Sequence, residues 1–420
     1  GKTSRALRGM VEAFYREGKQ ILLLSYTNRA VDEISKALAS IEPEIDFIRL
    51  GSELSCDDSF RPYLIENVLE PCATRRQVQE RIARCRVFVG TVATLSSKTE
   101  LFRLKTFDVA IVDEATQILE PQLLGLLCTR NPAGADAIGK FILIGDHKQL
   151  PAVVLQSSEQ SEVCDEALQA IGLYNLKDSL FERLYRNLSK ESANRQASTS
   201  HSSSFIPHPS YDMLCRQGRM NIEVALFPNR AFYGGLLEPV GLPHQQGELT
   251  LAPELCDCEF AGLLTRRVAF LPAAVEPPAQ SAKMNHSEAR IVARLAAAIY
   301  RQYAAVSGFN PAVTLGVITP YRSQIALIKK EIAALEDILV DTVERFQGSE
   351  RDVIIYSFCV NRAYQLKFLV NMTEENGTRI DRKLNVALTR ARKQMFMTGV
   401  PQLLKLNPIY AELLSVVCHS

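Results

Sequence analysis

Short runs of Val, Ile and Leu alternate along this chain with stretches whose apolar residues recur every three or four positions. A strand buried on both faces reads as an unbroken apolar run, and a helix covering it shows a single apolar stripe. The alternation therefore restricts the chain to an α/β fold of parallel sheets flanked by helices. Residues 20–26, 87–92, 107–112 and 141–144 are predicted strands in the first half, and 313–318, 352–358 and 394–398 in the second. The chain has 420 residues, enough for two such units at roughly 100–200 residues per domain. Its longest apolar runs, such as residues 21–24 and 141–144, fall far short of the roughly 20 residues a membrane-spanning helix needs.

The opening helix carries Leu7, Met10, Val11 and Phe14 on one stripe and stops at Gly18. Asn285 and Glu288 have the spacing of a capping box for a helix running to about Tyr303. Residues 189–210 are Ser-rich, a composition that buries too little apolar surface to order itself, and are expected to be a flexible linker or loop. That places a first lobe at 1–188 and a second at 211–420. Residues 42–86 are too long for an ordinary connection and predict a small inserted subdomain. Its basic end, residues 74–84, reads as a solvated helix face in preference to a nucleic-acid contact.

A net charge of +1 gives no global electrostatic footprint, so any nucleic-acid contact must come from a local groove. Ten scattered cysteines, with Cys256 and Cys258 lacking a second pair at zinc-site spacing, suggest reduced thiols in the cytoplasm, or in the nucleus of a eukaryote. No charged start and apolar stretch argues for secretion.

Chemistry concentrates at a few points. Gly1-Lys2-Thr3 ahead of a helix matches the last three positions of the phosphate loop G-x-x-x-x-G-K-[ST]. Phe107-Asp108-Val109-Ala110-Ile111-Val112-Asp113-Glu114 is a predicted strand delivering two carboxylates at its C-terminal end, where ligands of open parallel sheets bind. There Asp113 would hold Mg²⁺, and Glu114 would orient and deprotonate water. Gly145-Asp146-His147-Lys148-Gln149 repeats the arrangement one strand later, with Gln149 as a candidate sensor of the terminal phosphate. In the second half, Arg390 in Asn385-Val386-Ala387-Leu388-Thr389-Arg390-Ala391-Arg392 and Arg219 in Gln217-Gly218-Arg219-Met220 are candidates to neutralise transferring phosphate. Taken singly, each motif has a bland reading: a chance tripeptide, a helix cap, a turn, a solvated arginine.

Taken in order, with Ser25-Tyr26-Thr27-Asn28-Arg29-Ala30-Val31-Asp32, Asp113-Glu114-Ala115-Thr116-Gln117, Thr319-Pro320-Tyr321 and Val343-Glu344-Arg345-Phe346-Gln347-Gly348-Ser349-Glu350 added, the set resembles the superfamily 1 helicases. The Asp-Glu-Ala-Thr-Gln and Gly-Asp-His-Lys-Gln-Leu-Pro motifs are similar to the branch holding senataxin, the regulator-of-nonsense-transcripts helicase and the eukaryotic replication helicase/nuclease. The resemblance implies two RecA-like P-loop lobes, ATP and Mg²⁺ as cofactors, single-stranded DNA or RNA as partner, a monomeric motor and 5′ to 3′ movement. It makes Gly1 part of the nucleotide site, Lys2 the phosphate ligand, Thr3 and Asp113 the Mg²⁺ ligands and Glu114 the water activator. Gln149, Arg219 and Arg390 would contact the terminal phosphate, with Gly348 and Glu350 near phosphate and ribose. Thr27, Asn28, Thr91, Pro320, Tyr321 and Thr342 match positions that touch the strand.

Two positions depart from the family pattern. Gly218 stands where an aromatic could stack on adenine, and Ser349 where an arginine is usual. The chain carries only the end of a phosphate loop, and by itself is expected to bind ATP weakly and hydrolyse it little. Set against the helicase reading are a nucleic-acid clamp with a timing or lost ATPase, and a P-loop ATPase acting on something else. Strand displacement separates out the first, and binding of a labelled single strand the second.

Overall fold

The computed structural model describes residues 2–197, 210–277, 282–335, 337–375 and 377–417. Tertiary contacts divide the chain into two units, Gly1–His147 with Pro151–Leu214, and Lys148–Leu150 with Cys215–Ser420.

In the first unit, strands β1 (Ile21–Ser25), β2 (Phe47–Leu50), β3 (Val87–Thr91), β4 (Val109–Val112) and β5 (Phe141–Leu143) form one sheet in the order β2-β3-β1-β4-β5. All four pairings are parallel. Alternate residues of each strand face opposite cores, as the pleat requires. Leu22, Leu24, Phe88, Ala110 and Val112 lie in one, and Ile21, Leu23, Val87, Val89 and Ile111 in the other. Helix α1 (Arg8–Arg16) buries Val11 on the second face beside Leu7 of the turn before it, with Met10 and Phe14 packed against them. It ends before Gly18, whose φ of +77° puts the chain in the left-handed region that only glycine enters cheaply. Helix α2 (Asn28–Ala39) buries Val31, Ile34 and Leu38 on the same face.

The segment expected as an insertion over 42–86 is narrower, because residues 47–50 are the edge strand β2. Its Phe-Ile-Arg-Leu sequence hides the strand, since Arg49 interrupts the apolar run. The arginine is nevertheless fully buried, with Nη1 2.7 Å from Asp32 Oδ1. What remains of the insertion is helical and ends in α3 (Arg75–Arg84). Thr74 and Gln77 form a capping box there, Arg76 pairs with Glu80, and only Ile82 is buried, so α3 presents a solvated basic face. After β3 come α4 (Val92–Ser97) and, later, α5 (Leu180–Ala197).

The linker expected over 189–210 is corrected in part: residues 189–197 continue α5, and 198–209 lie outside the described residues. The segment 180–197 carries three Leu, three Arg, two Glu and two Ala, all good helix formers. Its start is fixed by a reciprocal cap, with Glu182 N–H donating to Ser179 Oγ at 3.1 Å and Ser179 Oγ donating to the Glu182 carboxylate at 3.1 Å.

The second unit holds β6 (Val268–Pro272), β7 (Leu315–Ile318), β8 (Leu339–Asp341), β9 (Arg351–Ser357) and β10 (Ala391–Gly399). They form a parallel sheet in the order β8-β7-β9-β10-β6, with apolar cores on both faces. Helices α6 (Ile222–Tyr233), α7 (His286–Val306), α8 (Arg322–Glu331), α9 (Leu366–Leu369) and α10 (Arg382–Leu388) connect and cover the strands.

The capping box expected at the start of α7 is half formed. Asn285 accepts the Glu288 N–H at 2.8 Å, but the Glu288 carboxylate turns inward to accept from Ser357 Oγ (2.6 Å) and Cys359 N–H (2.9 Å). Those donors are buried where β9 ends, in a turn that puts Cys359 at φ +49°, and without an acceptor they would be orphaned. Burial pushes the Glu288 carboxyl up to about 7 against the two hydrogen bonds. Among the described residues no helix is long and apolar enough to cross a membrane.

Candidate nucleotide and nucleic-acid sites

In the first unit the candidate residues collect where the parallel strands end. Asp113 follows β4 directly and is 2% exposed. Its N–H donates to Leu24 O (2.8 Å), and its Oδ1 accepts the Glu114 N–H (2.9 Å). Glu114 sits at φ +53°, a conformation that costs a non-glycine residue on the order of 1 kcal/mol or more and that clusters at functional sites. The turn is held by Ala115 N–H on Ile144 O (2.8 Å), and Gln117 Nε2 donates to the Glu114 carboxylate (2.9 Å). Gly145 is required by close approach: a Cβ there would lie 2.9 Å from Thr116 Cγ2 and 3.2 Å from the Phe181 ring.

On the neighbouring strand, Ser25 of β1 pairs in register with Thr91 of β3, so the residues that follow stand side by side. Thr27 caps α2 by accepting from Ala30 N–H (3.2 Å) and is exposed, with Asn28 next to it. Thr91 caps α4 by accepting from Thr94 N–H (3.1 Å); its hydroxyl also meets that of Thr94 at 2.8 Å. Both helices therefore open at this edge, where their N-terminal amides favour anions. Gly1 lies outside the described residues, as do the side chains of Lys2 and Thr3; the backbone is helical from Lys2.

In the second unit the candidates divide between the two edges of one sheet. Arg351 of β9 pairs with Ala391 of β10, which sets Glu350 and Arg390 beside each other just before the strands begin. Arg219 joins them, with Nε on Glu350 Oε2 (2.6 Å) and Nη1 on Thr389 O (3.3 Å). Arg392 Nε is 3.8 Å from Glu350. Burial acts to raise the Glu350 pKa, but the charge and hydrogen bond of Arg219, with Arg392 and Arg390 behind it, outweigh burial and hold the carboxyl below its usual value. Arg390 is 2% exposed. Its Nε donates to Val386 O (3.0 Å), Nη1 to Ser349 O (3.4 Å) and Nη2 to Thr389 Oγ1 (3.1 Å) and Gln149 Oε1 (3.4 Å). Gly348, at φ +79°, makes the turn that leads into β9.

The departures from the family pattern fit their surroundings. A Cβ on Gly218 would lie 3.3 Å from Val240 and 3.4 Å from Leu242, leaving little room for a ring. The Ser349 hydroxyl is buried and donates to Phe346 O (2.7 Å). What sequence reading missed is the frame around Arg219: Gln217 Oε1 accepts the N–H groups of both Arg219 (3.0 Å) and Met220 (2.8 Å), and the Gln245 amide clamps Gln217 O (2.9 Å).

At the opposite edge, Pro320 and Tyr321 follow β7, and Thr342 follows β8, whose Asp341 pairs with Ile318. The Tyr321 hydroxyl accepts from Gln365 Nε2 (3.4 Å), and burial pushes its phenol pKa up. Gln365 is another residue that no motif announced.

Each unit is a RecA-like lobe: a parallel sheet covered on both faces, with polar groups gathered at strand ends. The chain belongs to the AAA domain family, whose model matches residues 176–402; a second AAA domain model matches residues 64–157. It is 28% identical to the DNA replication ATP-dependent helicase/nuclease DNA2 of Mus musculus, across 97% of this chain and 35% of that protein. It is 27% identical to the DNA polymerase alpha-associated DNA helicase A of Saccharomyces cerevisiae, across 77% of this chain and 44% of that protein. The resemblance to superfamily 1 helicases, and to the replication helicase/nuclease among them, thus holds along nearly the whole chain. The chain spans about a third of the length of the DNA2 helicase/nucleases it matches.

Proposed function

We propose that this chain is the motor region of an ATP-driven nucleic-acid helicase that moves 5′ to 3′ along a single strand. The relatives are named as DNA helicases, which makes single-stranded DNA the first substrate to test. The observation that carries the reading lies in the second lobe. Arg219, Arg390, Gln149 and Glu350 converge at one edge of the sheet, while Pro320, Tyr321 and Thr342 stand at the other. A motor needs that separation, because the groups that sense nucleotide state must act on the groups that hold the track through a rigid element.

In this reading Lys2 holds the β- and γ-phosphates. Glu114 accepts a proton from the attacking water, and its strained turn and bond to Gln117 fix the carboxylate before substrate arrives. Arg219 and Arg390 are assigned to the terminal phosphate, where a guanidinium fork neutralises charge that grows in the transition state. Asp113 presents hard carboxylate oxygen at a strand end, which suits Mg²⁺ held together with Thr3. When bound, the ion supplies charge neutralisation at the phosphates. Thr27, Asn28 and Thr91 in the first lobe, and Pro320, Tyr321 and Thr342 in the second, take the strand by its backbone, which gives little sequence preference.

The test uses protein carrying a whole phosphate loop. Glu114→Gln should lower ATP turnover by roughly 10²–10⁴-fold while a fluorescent ATP analogue binds as tightly as to wild type. Normal turnover in that variant would remove Glu114 from the chemistry. ATP hydrolysis without displacement of an annealed strand would make the protein a clamp.

A further inference from the structure

We infer that Tyr364 and Phe368, on the segment that follows β9, form a platform on which bases of the nucleic-acid strand stack. The inference rests on the reading above that the Tyr321 edge of the second lobe meets a single strand.

The two rings are 57% and 53% exposed, large values for aromatic side chains in well-formed secondary structure. They touch each other edge to face, with centroids 6.5 Å apart and planes at 88°. They are carried by a single helical turn, Ala363–Gln365, running on into α9. The turn is anchored by other residues. Leu369 is buried in the core of the lobe, and the side chain of buried Gln365 makes four hydrogen bonds. Its Oε1 accepts the N–H groups of Asn361 and Arg362, both at 2.9 Å, and its Nε2 donates to Ala282 O at 2.7 Å and Tyr321 Oη at 3.4 Å. The same side chain therefore ties the aromatic turn to the proposed strand-contacting Tyr321. Tyr364 and Phe368 stand outward from a clamped backbone, so the turn is ordered before a ligand arrives.

The surroundings favour nucleic acid as the occupant. Lys367 lies on the same turn with Nζ 5.0 Å from the Phe368 centroid, and Lys383 Nζ donates to Phe368 O at 3.2 Å. Glu344 pairs with Lys383 at 3.2 Å, which leaves the exposed Lys367 as the cation beside the rings. Rings that are more than half exposed, with an ammonium over one of them, match a base with its neighbouring phosphate. Every base has such a face, so the platform would grip without reading sequence.

The chain contains no tryptophan, so Phe368→Trp installs a single indole at the platform. Titration with a thymidine oligonucleotide should quench its fluorescence to saturation, and an abasic oligonucleotide of equal length should not. The double variant Tyr364→Ala with Phe368→Ala should bind the thymidine strand on the order of tenfold more weakly by anisotropy, at an unchanged thermal midpoint. Binding of the strand without quenching, or a double variant that binds as tightly as wild type, overturns the platform and leaves the Tyr321 edge standing. Failure of the wild type to bind either strand overturns both.

Discussion

At the scale of single residues, the proposed chemistry depends on backbone positions as much as on charged groups. Glu114 is turned into the left-handed region by a strand end and a neighbouring carbonyl, and Gly145 leaves room for Thr116 and the Phe181 ring. Gly145→Ala would press a methyl against Thr116, two residues from Glu114. Overpacking of this kind costs about 1–3 kcal/mol, read as a lower midpoint in urea. An unchanged midpoint would show that the turn has slack. The motif residues themselves are legible because folding alone seldom demands carboxylates directly after apolar strands together with arginines in a fixed order. Their partners are not. Nothing in the spacing of Gln245 or Gln365 says that their amides hold Gln217 and Tyr321, because those bonds join residues 28 and 44 positions apart.

At the scale of elements, legibility follows burial. The central strands β1, β3, β4, β7, β9 and β10 read as apolar runs because sheet neighbours and helices cover them. β5 is legible as well, although its residues are only half-buried. The other edge strands escape: β2 carries Arg49, β8 has three residues, and β6 runs into a proline. Composition misjudges α5, where Ser179 and Glu182 form a readable cap that the Ser-rich stretch beyond it obscures.

The half-formed cap on α7 has a consequence for pH. The folded-state pKa of Glu288 is raised to about 7, above an unfolded value of about 4.3. The native state then binds the extra proton between those values, so the group's contribution is full at low pH and is lost as pH rises through 7. A neutral amide can accept the same two hydrogen bonds. Glu288→Gln should therefore gain stability relative to wild type as pH goes from 5 to 8, in parallel thermal melts. A difference that stays constant across that range would mean Glu288 is ionised throughout.

At the scale of the whole molecule, the proposal is that guanidinium groups of the second lobe act on the terminal phosphate of ATP, and that a strand held at the other edge of that lobe governs the result. The decisive measurement is the steady-state rate of ATP hydrolysis as single-stranded DNA is titrated, in wild type and in Arg219→Ala, using protein with an entire phosphate loop. Arg219 is partly exposed, so its truncation should leave the lobe folded. The account predicts a rate that climbs with added strand in the wild type, and in the variant a rate lower by roughly 10²-fold or more that the strand no longer lifts. Hydrolysis indifferent to the strand, or an Arg219→Ala protein as fast as wild type, would contradict it.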